Sequence, residues 1–276
     1  MIGAQNMSAP IRWPAEAIWE AISPHLAGFT VEVVPEIDST NTELMRRARA
    51  GQLDPVLLVA EHQTAGRGRL GRQWFSGGVE SGGARLAAGQ LPSLMFSLGL
   101  PLAPLDWSGL SLAVGLSIVE SLHLDLQLKW PNDVWWQSRK LAGILIETAS
   151  LGDVRFAVVG VGVNIAPRDG QGLSTPPASL SELLPGIDAP ETLLRVAQPL
   201  VRAIQRFETH GFGPLRTAFH GRDLLYGQTV RCSDGLIGIA RGVDASGALL
   251  VHSENGVKAI TSAEVSVRPD LPAIPI

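Results

Sequence analysis

The sequence is poor in cysteine, in charged residues and in long apolar stretches. Its 276 residues include one cysteine, Cys232, which excludes an internal disulfide and a cysteine-based metal cluster. No apolar stretch approaches the roughly 20 residues of a transmembrane helix, and no basic segment followed by an apolar one begins the chain as a signal peptide would. The histidines show no metal-ligand spacing. We therefore expect a cytoplasmic protein with no membrane association and no protein-bound metal site.

The composition is that of a globular protein, with 45% hydrophobic and 17% charged residues. A net charge of −4 argues against a general nucleic-acid coat protein, because such proteins need an excess of positive charge. A local basic segment is nevertheless present between residues 67 and 72, so local anion binding stays open.

Apolar periodicity and turn residues predict a mixed, largely antiparallel sheet with flanking helices, which is an α+β fold. Thr40 and Glu43 have the spacing of a capping box at a helix start, and Gly51 provides the stop. Pro199 is expected to interrupt the last long helix, and Gly152 to turn two strands into a hairpin. Helices are predicted at residues 14–26, 40–50, from Asp106 onward and at 190–210, and strands at 31–34, 56–60, 94–100, 126–130, 140–148 and 155–163.

The pattern changes after Tyr226 to short strands separated by turn pairs, which predicts a small SH3-like β-barrel. These strands are expected at residues 229–232, 238–243, 248–252, 256–260 and 265–268. We divide the chain into an N-terminal extension (1–30), a catalytic domain (31–223) and a C-terminal domain (224–276). A long irregular loop is expected at 63–92, with a glycine-rich insertion at 77–92.

The segment GRGRLGR, residues 66–72, follows a predicted strand. Arginine offers planar charged donors for phosphate or carboxylate, and glycine lets backbone N–H groups approach an anion closely. This pattern is typical of an anion-binding loop. An exposed basic loop, or an arginine–glycine tract that contacts RNA, explains the segment equally well.

The segment KWPND, residues 129–133, stands at the end of a predicted strand. Lys129 can neutralise a phosphate, while Asn132 and Asp133 can position a ligand or help to hold magnesium. A plain turn at Asn132 and Asp133 with a solvated lysine is the alternative.

Two glycine-containing strands follow. Gly143 interrupts a β-like run, which indicates close approach of a ligand or another backbone, or a bulge. GVGVN, residues 160–164, lacks the third glycine and the following helix of a dinucleotide fingerprint. The sequence also lacks a Walker-type segment, so any nucleotide must be held in another way.

The ordered combination of these segments resembles the successive signatures of biotin-protein ligases. The resemblance covers residues 36–166 and, through the C-terminal strands, most of the chain after residue 30. It implies a catalytic domain similar to class II synthetases, followed by the SH3-like domain. It is carried by DSTNTE (38–43), AEHQTAGRGRLGRQWFS (60–76), KWPND (129–133), KLAGILIE (140–147), GVGVNI (160–165), GIARGVDASGALLV (238–251) and AEVSVR (263–268).

The resemblance implies an enzyme that activates biotin with ATP and magnesium as biotinyl-AMP and passes it to a lysine of a biotin carboxyl carrier domain. Catalytic roles fall on Lys129, Arg67 and Arg69, which would stabilise charge between the biotin carboxylate and the α-phosphate. The implied biotin-binding residues are Ser39, Thr40, Asn41, Gln63, Arg67, Gly68, Arg69, Lys129, Gly143 and Gly160. The implied ATP-binding residues are Arg69, Arg72, Trp74, Lys129, Asn132, Asp133, Asn164 and Arg268.

Some relatives carry an N-terminal winged helix, but only about 30 residues precede the ligase region here, so we expect no DNA binding. Homodimers occur in the family, although no segment specifies one. Two alternatives stay open: a ligase or transferase for lipoate or octanoate, which shares the related fold, and an RNA-binding module built on Arg67, Arg69 and Arg72.

Overall fold

The computed structural model describes residues 10–75, 90–168, 170 and 175–261, and the backbone of 267–269. Most of the expected insertion at 77–92 lies outside these residues. The helices are α1 (Ala15–Ile22), α2 (Thr40–Arg49), α3 (Leu110–Leu122), α4 (Leu180–Leu183), α5 (Ala189–His210) and α6 (Arg216–His220). The strands are β1 (Thr30–Ile37), β2 (Val56–Gln63), β3 (Ser93–Pro101), β4 (Gln127–Lys129), β5 (Asp133–Trp136), β6 (Arg139–Leu151), β7 (Val154–Asn164), β8 (Thr229–Cys232), β9 (Ile237–Val243), β10 (Leu249–Ser253), β11 (Gly256–Ile260) and β12 (Val267–Pro269).

The chain divides into two compact units. One comprises Met1–Pro101 and Arg139–Gln198, and the other comprises Leu102–Ser138 and Pro199–Ile276. Of the described helices, none combines the length and the apolar character that crossing a bilayer requires.

The first unit contains a mixed sheet in the order β1-β2-β3-β7-β6. Strands β1 and β2 are parallel, and the other three pairings are antiparallel, which confirms the expected mixed and largely antiparallel fold. Side chains alternate between the two faces of a strand, and helix α2 packs on one face of the sheet. The buried cluster there consists of Leu44, Met45, Ala48, Leu58, Phe156 and Val158.

The second unit contains α3, α6, the β4–β5 hairpin and an antiparallel sheet in the order β11-β10-β9-β8-β12. This five-stranded sheet confirms the small C-terminal β structure. Residues 265 and 266 of the expected last strand lie outside the described residues. Strand β5 was not expected, because no strand was predicted between residues 130 and 140.

Three local predictions are wrong. The cap of α2 is Ser39 rather than Thr40: Ser39 Oγ accepts from the backbone N–H of Thr42 at 3.4 Å. Helix α3 begins at Leu110, after Gly109 at φ +82°, and Asp106 instead accepts from the backbone N–H of Ser108.

The third wrong prediction concerns Pro199, which does not interrupt α5. A proline inside a helix removes one backbone hydrogen bond and costs about 3 kcal/mol. The helix buries a continuous apolar face, and each fully buried apolar side chain contributes roughly 1.5–3 kcal/mol, which outweighs that cost. The fully buried residues of this face include Leu193, Val196, Leu200, Ile204 and Phe207.

Candidate active site

One face of the β6–β7 hairpin is lined by glycines. Gly143 is paired with Gly162, and Leu145 with Gly160, in the antiparallel register. A Cβ at Gly160 would lie 2.0 Å from Asn41 Oδ1, and one at Gly162 would lie 2.4 Å from Trp74 Cε2. We call Gly143, Gly160 and Gly162 the glycine floor, because it allows the start of α2 and the Trp74 ring to lie directly on the strands.

A chain of hydrogen bonds begins at the N-terminus of α2. Gln63 Oε1 accepts from the backbone N–H of Thr40 at 2.8 Å. The Thr40 hydroxyl lies 2.7 Å from Ser97 Oγ, and Ser97 donates to Asn41 Oδ1 at 2.6 Å. Because the single proton of Ser97 is used in this last bond, the Thr40 hydroxyl has two acceptors for its own proton, Ser97 Oγ and Gln63 Oε1 at 3.2 Å. Ser39, Thr40, Asn41 and Ser97 are all buried, so this polar patch is preorganised within an otherwise apolar unit.

The chain of hydrogen bonds continues across the sheet through Asn41 to Glu147. Asn41 Nδ2 donates to the carbonyl of Leu145 at 3.2 Å and to Glu147 Oε2 at 3.0 Å. Glu147 Oε1 also accepts from an Arg67 guanidinium nitrogen at 2.9 Å. The structure therefore brings the predicted residues Thr40, Asn41, Gln63 and Arg67 together in one network.

Ser97 and Glu147 were missed as site residues. Their sequence signal is a polar side chain among the buried apolar residues of β3 and at the end of the ILIE run of β6. Such a residue needs a hydrogen-bond partner when its position faces a core, but the sequence does not say which partner it meets.

The glycine–arginine segment folds back on itself. Trp74 donates its backbone N–H to the carbonyl of Gly66 at 2.9 Å, and Gly68 donates to the carbonyl of Arg72 at 2.8 Å. Arg69–Gly71 forms a 3-10 turn. The side chains of Arg67 and Arg72 are exposed and Arg69 is half-buried, so these cations border an ordered loop rather than an extended tract.

Trp74 closes this loop and is flanked by two cations. The Cζ of Arg168 lies 5.6 Å from the Trp74 ring centre, and Lys140 Nζ lies 5.9 Å from it. Arg168 also donates to the carbonyl of Phe75 at 2.8 Å. Burial lowers the pKa of Arg168. Two cations beside one indole form a surface that favours a bound anion, and neither Arg168 nor Lys140 was among the expected site residues.

Lys129, Asn132 and Asp133 lie in the β4–β5 hairpin of the second unit. Lys129 ends β4 and is paired in register with Asp133, which begins β5. The Trp130–Pro131 peptide between them is cis. Lys129 Nζ lies 5.0 Å from the centre of the Trp135 ring, which is within the range of a cation–π contact. The lysine is thus held at a strand end beside an aromatic ring.

Asn164 ends β7 and is fully buried. Its Nδ2 donates to the carbonyls of Lys140 and Ala178 at 3.1 and 2.9 Å, and within the described part of the chain its buried Oδ1 has no partner. The amide is therefore fixed in place by two backbone carbonyls, and its oxygen is enclosed. Of Arg268 the structure describes only the backbone, in β12 opposite Arg231, and its side chain lies outside the described residues.

Comparison with known proteins gives consistent matches. Two protein-family models match the chain. The family described as "Biotin/lipoate A/B protein ligase family" matches residues 91–164, and the family described as "Biotin protein ligase C terminal domain" matches residues 227–268. The chain is 35% identical to the bifunctional ligase/repressor BirA of Escherichia coli, over 88% of this chain and 75% of that protein. It is 36% identical to the biotin--[acetyl-CoA-carboxylase] ligase of Paracoccus denitrificans, over 83% and 96%.

Among solved structures, the biotin protein ligase from Aquifex aeolicus in complex with biotin and ATP has a TM-score of 0.70 at 29% identity. The match covers 87% of this chain and 99% of that chain. The likeness therefore extends over both matched regions of the chain.

Proposed function

The chain belongs to the biotin protein ligase family, and from this we propose that it converts biotin and ATP into biotinyl-5′-AMP and transfers the biotinyl group to a lysine of a carrier domain. The oxygen of the biotin carboxylate attacks the α-phosphorus of ATP, and pyrophosphate leaves. The amine of the acceptor lysine then attacks the carbonyl of the mixed anhydride, an amide forms and AMP leaves.

The observation that carries this proposal is the network of buried polar groups that ends at an arginine. Biotin combines a ureido ring, with N–H donors and a carbonyl acceptor, an apolar ring and chain, and a carboxylate. Ser39, Thr40, Asn41 and Gln63 offer fixed donors and acceptors within an apolar unit, as recognition of a polar ring requires. Arg67 stands at the opposite end of the network, where it suits the carboxylate end.

We assign the remaining residues by the charge that develops in the reaction. Lys129, Arg67 and Arg69 are proposed to stabilise the negative charge that accumulates between carboxylate and α-phosphate, since fixed cations stabilise such a transition state more than the ground state. Gly68, Gly143 and Gly160 are proposed to belong to the biotin site: Gly160 leaves room for the Asn41 amide and Gly143 for the Trp74 ring. No enzyme nucleophile is required.

For the nucleotide we propose Arg72, Trp74, Asn164 and Arg268 as contacts. The amide of Asn164 is fixed by the carbonyls of Lys140 and Ala178, and its oxygen is an acceptor of the kind that the exocyclic amine of adenine needs. Magnesium arrives with ATP as part of the substrate, and the oxygen atoms of Asn132 and Asp133 are proposed to help to hold it.

The proposed partner is the biotin carboxyl carrier domain of a biotin-dependent carboxylase. The names of the relatives support this partner, because they act on acetyl-CoA carboxylase. The expectations of cytoplasmic location and of no DNA binding stay predictions, and the question of a homodimer stays open.

The test is biotin-dependent exchange between ATP and labelled pyrophosphate, followed by transfer to an isolated carrier domain. We expect exchange with biotin and not with lipoate, and transfer only when biotin, ATP, magnesium and the acceptor lysine are all present. A carrier domain whose acceptor lysine is replaced by arginine is the matched control. Transfer that persists without ATP would contradict the adenylate mechanism.

A lipoate ligase is the second candidate, because the model that matches residues 91–164 covers both biotin and lipoate enzymes. Exchange that depends on lipoate and not on biotin would favour it. An RNA-binding role for the arginine loop has less support, since both families that match the chain are protein ligases.

A further inference from the structure

Glu147 connects two parts of the candidate site that come from different elements. Its Oε2 accepts from Asn41 Nδ2 of α2 at 3.0 Å. The same carboxylate accepts from Arg67 of the glycine–arginine loop, at 2.9 Å through Oε1 and 3.2 Å through Oε2. One carboxylate therefore fixes the direction of an amide in the polar network and of a guanidinium on the loop.

The orientation of the Asn41 amide depends on this carboxylate. Asn41 Oδ1 already accepts from Ser97, and the missing Cβ of Gly160 leaves room for that oxygen. The Nδ2 group consequently faces β6, where the carbonyl of Leu145 and the carboxylate of Glu147 accept its protons. An anionic acceptor forms a stronger hydrogen bond than a neutral one, so Glu147 disfavours a flipped amide.

Arg67 depends on Glu147 even more directly. Half of the Arg67 side chain is exposed, whereas 22% of the Glu147 side chain is exposed. Within the described residues, Glu147 is the only side chain to which the Arg67 guanidinium donates a hydrogen bond. Arginine has high rotamer freedom, and without this carboxylate it would sample solvent. Exposed ion pairs contribute little to folding stability. The main effect of this pair is therefore on the orientation of the Arg67 guanidinium.

We propose that Glu147 is a positioning residue, which holds Arg67 and Asn41 in the directions that retain the biotinyl adenylate. This inference rests on the proposed function. Glu147 does not touch the reacting atoms in this role. It acts through Arg67, whose second edge stays available to the phosphate, and through Asn41 in the polar network. A guanidinium has several N–H donors in a planar fork, so it can hold a carboxylate and a ligand oxygen at once.

In the alternative role, Glu147 competes with the adenylate for the Arg67 guanidinium. The two roles predict opposite changes in the rate of adenylate release when the carboxylate is removed. Loss of a positioning carboxylate speeds adenylate release, whereas loss of a competitor slows it.

The experiment compares Glu147→Gln, Arg67→Met and the double variant in the full chain. Glutamine keeps the size but removes the negative charge and replaces one acceptor oxygen by a donor, so it weakens the hydrogen bonds from Asn41 and Arg67. Adenylate is formed from biotin and MgATP in a single turnover, and its release is followed after rapid gel filtration. We expect Glu147→Gln to release it roughly tenfold faster, which corresponds to about 1.4 kcal/mol, with a smaller change in the rate of formation.

The double variant tests whether Glu147 acts through Arg67. If it does, the double variant releases adenylate more slowly than the product of the two single effects predicts, since only the contribution through Asn41 is left to add, whereas independent effects would multiply. The control is Glu191→Gln, which removes the carboxylate paired with Arg195 at 2.9 Å on the exposed face of α5 and should release adenylate at the wild-type rate.

The outcomes distinguish the proposed ligase function from the positioning role of Glu147. A wild type that forms no adenylate overturns the proposed function. A wild type that forms and retains adenylate, beside a Glu147→Gln variant with equal or slower release, overturns only the positioning role, as do multiplying effects in the double variant. If Glu147→Gln does not fold, Glu147→Asp serves instead, since it withdraws the carboxylate by one methylene. Faster release than wild type supports the role, and equal or slower release overturns it.

Discussion

Lys129 and Arg67 are both cations assigned to the reacting anion, but they are held in different ways. Lys129 ends a paired strand, with its ammonium 5.0 Å from the Trp135 ring centre. Arg67 belongs to a loop and takes its direction from Glu147 across the sheet. A charge fixed on a strand needs little reorganisation when the transition state forms. The direction of the Arg67 charge depends on one carboxylate instead of on a paired strand.

Replacing Lys129 by alanine should therefore reduce the rate of adenylate formation. Removal of one preorganised charge typically costs roughly 3 kcal/mol of barrier, about a hundredfold in rate. Biotin binding should weaken less, because the polar network of the first unit stays intact. Single-turnover adenylation and calorimetric biotin titration measure the two effects. Lys258→Ala removes an exposed strand lysine paired with Asp234 at 3.1 Å and should adenylate normally. Wild-type adenylation by Lys129→Ala would refute the catalytic role.

At the scale of elements, the β6–β7 hairpin combines two requirements. Its apolar residues form long paired strands, as β-branched and apolar runs favour, while glycine at every second position of GVG leaves one face without side chains. Asn41 and Trp74 occupy that face. Gly143 is therefore not a bulge, because its pairing with Gly162 is regular, and its missing Cβ leaves room for the Trp74 ring 3.2 Å away.

Gly162→Ala tests the glycine floor. The new methyl would lie 2.4 to 2.8 Å from three atoms of the Trp74 indole, so the ring must move and its contacts with Arg168 and Lys140 must change. Overpacking of this kind typically costs about 1–3 kcal/mol. Chemical unfolding and the near-ultraviolet circular dichroism of the indole report the two effects.

The matched control for that change is Gly213→Ala, whose methyl would meet its nearest atom at 3.8 Å. We expect its free energy of unfolding to lie within about 0.5 kcal/mol of that of the wild type, as is usual for surface substitutions that make no new contacts. Equal stability and an unchanged indole spectrum in Gly162→Ala would show that the floor does not constrain Trp74.

On the scale of the whole molecule, a buried acid affects how stability depends on pH. Asp223 is 8% exposed. Its Oδ1 accepts from the backbone N–H of Leu225 at 2.9 Å, while Oδ2 has no partner within the described part of the chain. Burial raises the pKa of Asp223 to about 6. The folded protein therefore binds more protons than the unfolded one between about pH 4 and pH 6, and the free energy of unfolding falls as the pH rises through that window.

Asp223→Asn should remove this contribution. One unit of pKa shift corresponds to about 1.4 kcal/mol. The free energy of unfolding of the wild type should therefore fall by up to about 3 kcal/mol between pH 4 and neutrality because of Asp223, and that of the variant should fall by less. Urea unfolding from pH 4 to 8 measures both slopes. Asp234→Asn is the control. The pKa of that exposed carboxyl is lowered, chiefly by the backbone N–H of Leu236. Its loss should therefore leave the fall of the unfolding free energy with rising pH in place. Parallel curves for wild type and Asp223→Asn would contradict the assignment.

The sequence alone determined the order and kind of most elements and the family. Periodicity and turn residues act over a few neighbouring positions, so helices such as α2 and strands such as β7 follow from local composition. The ordered segments from DSTNTE to GVGVNI likewise identify the family without any contact being known. Local reasoning failed at Thr40, Asp106 and Pro199, where a neighbouring residue or the burial of a helix face decided the outcome.

Only the tertiary structure decided which polar groups meet. Asn41 and Glu147 lie 106 positions apart in the sequence, and Ser97 joins Asn41 from a third element. Such contacts depend on strand register and on how α2 lies on the sheet, and no local pattern encodes either. Thr40 illustrates the difference: its spacing to Glu43 fits a cap, yet its hydroxyl bonds to Ser97, because a buried hydroxyl must find a partner within the unit that surrounds it.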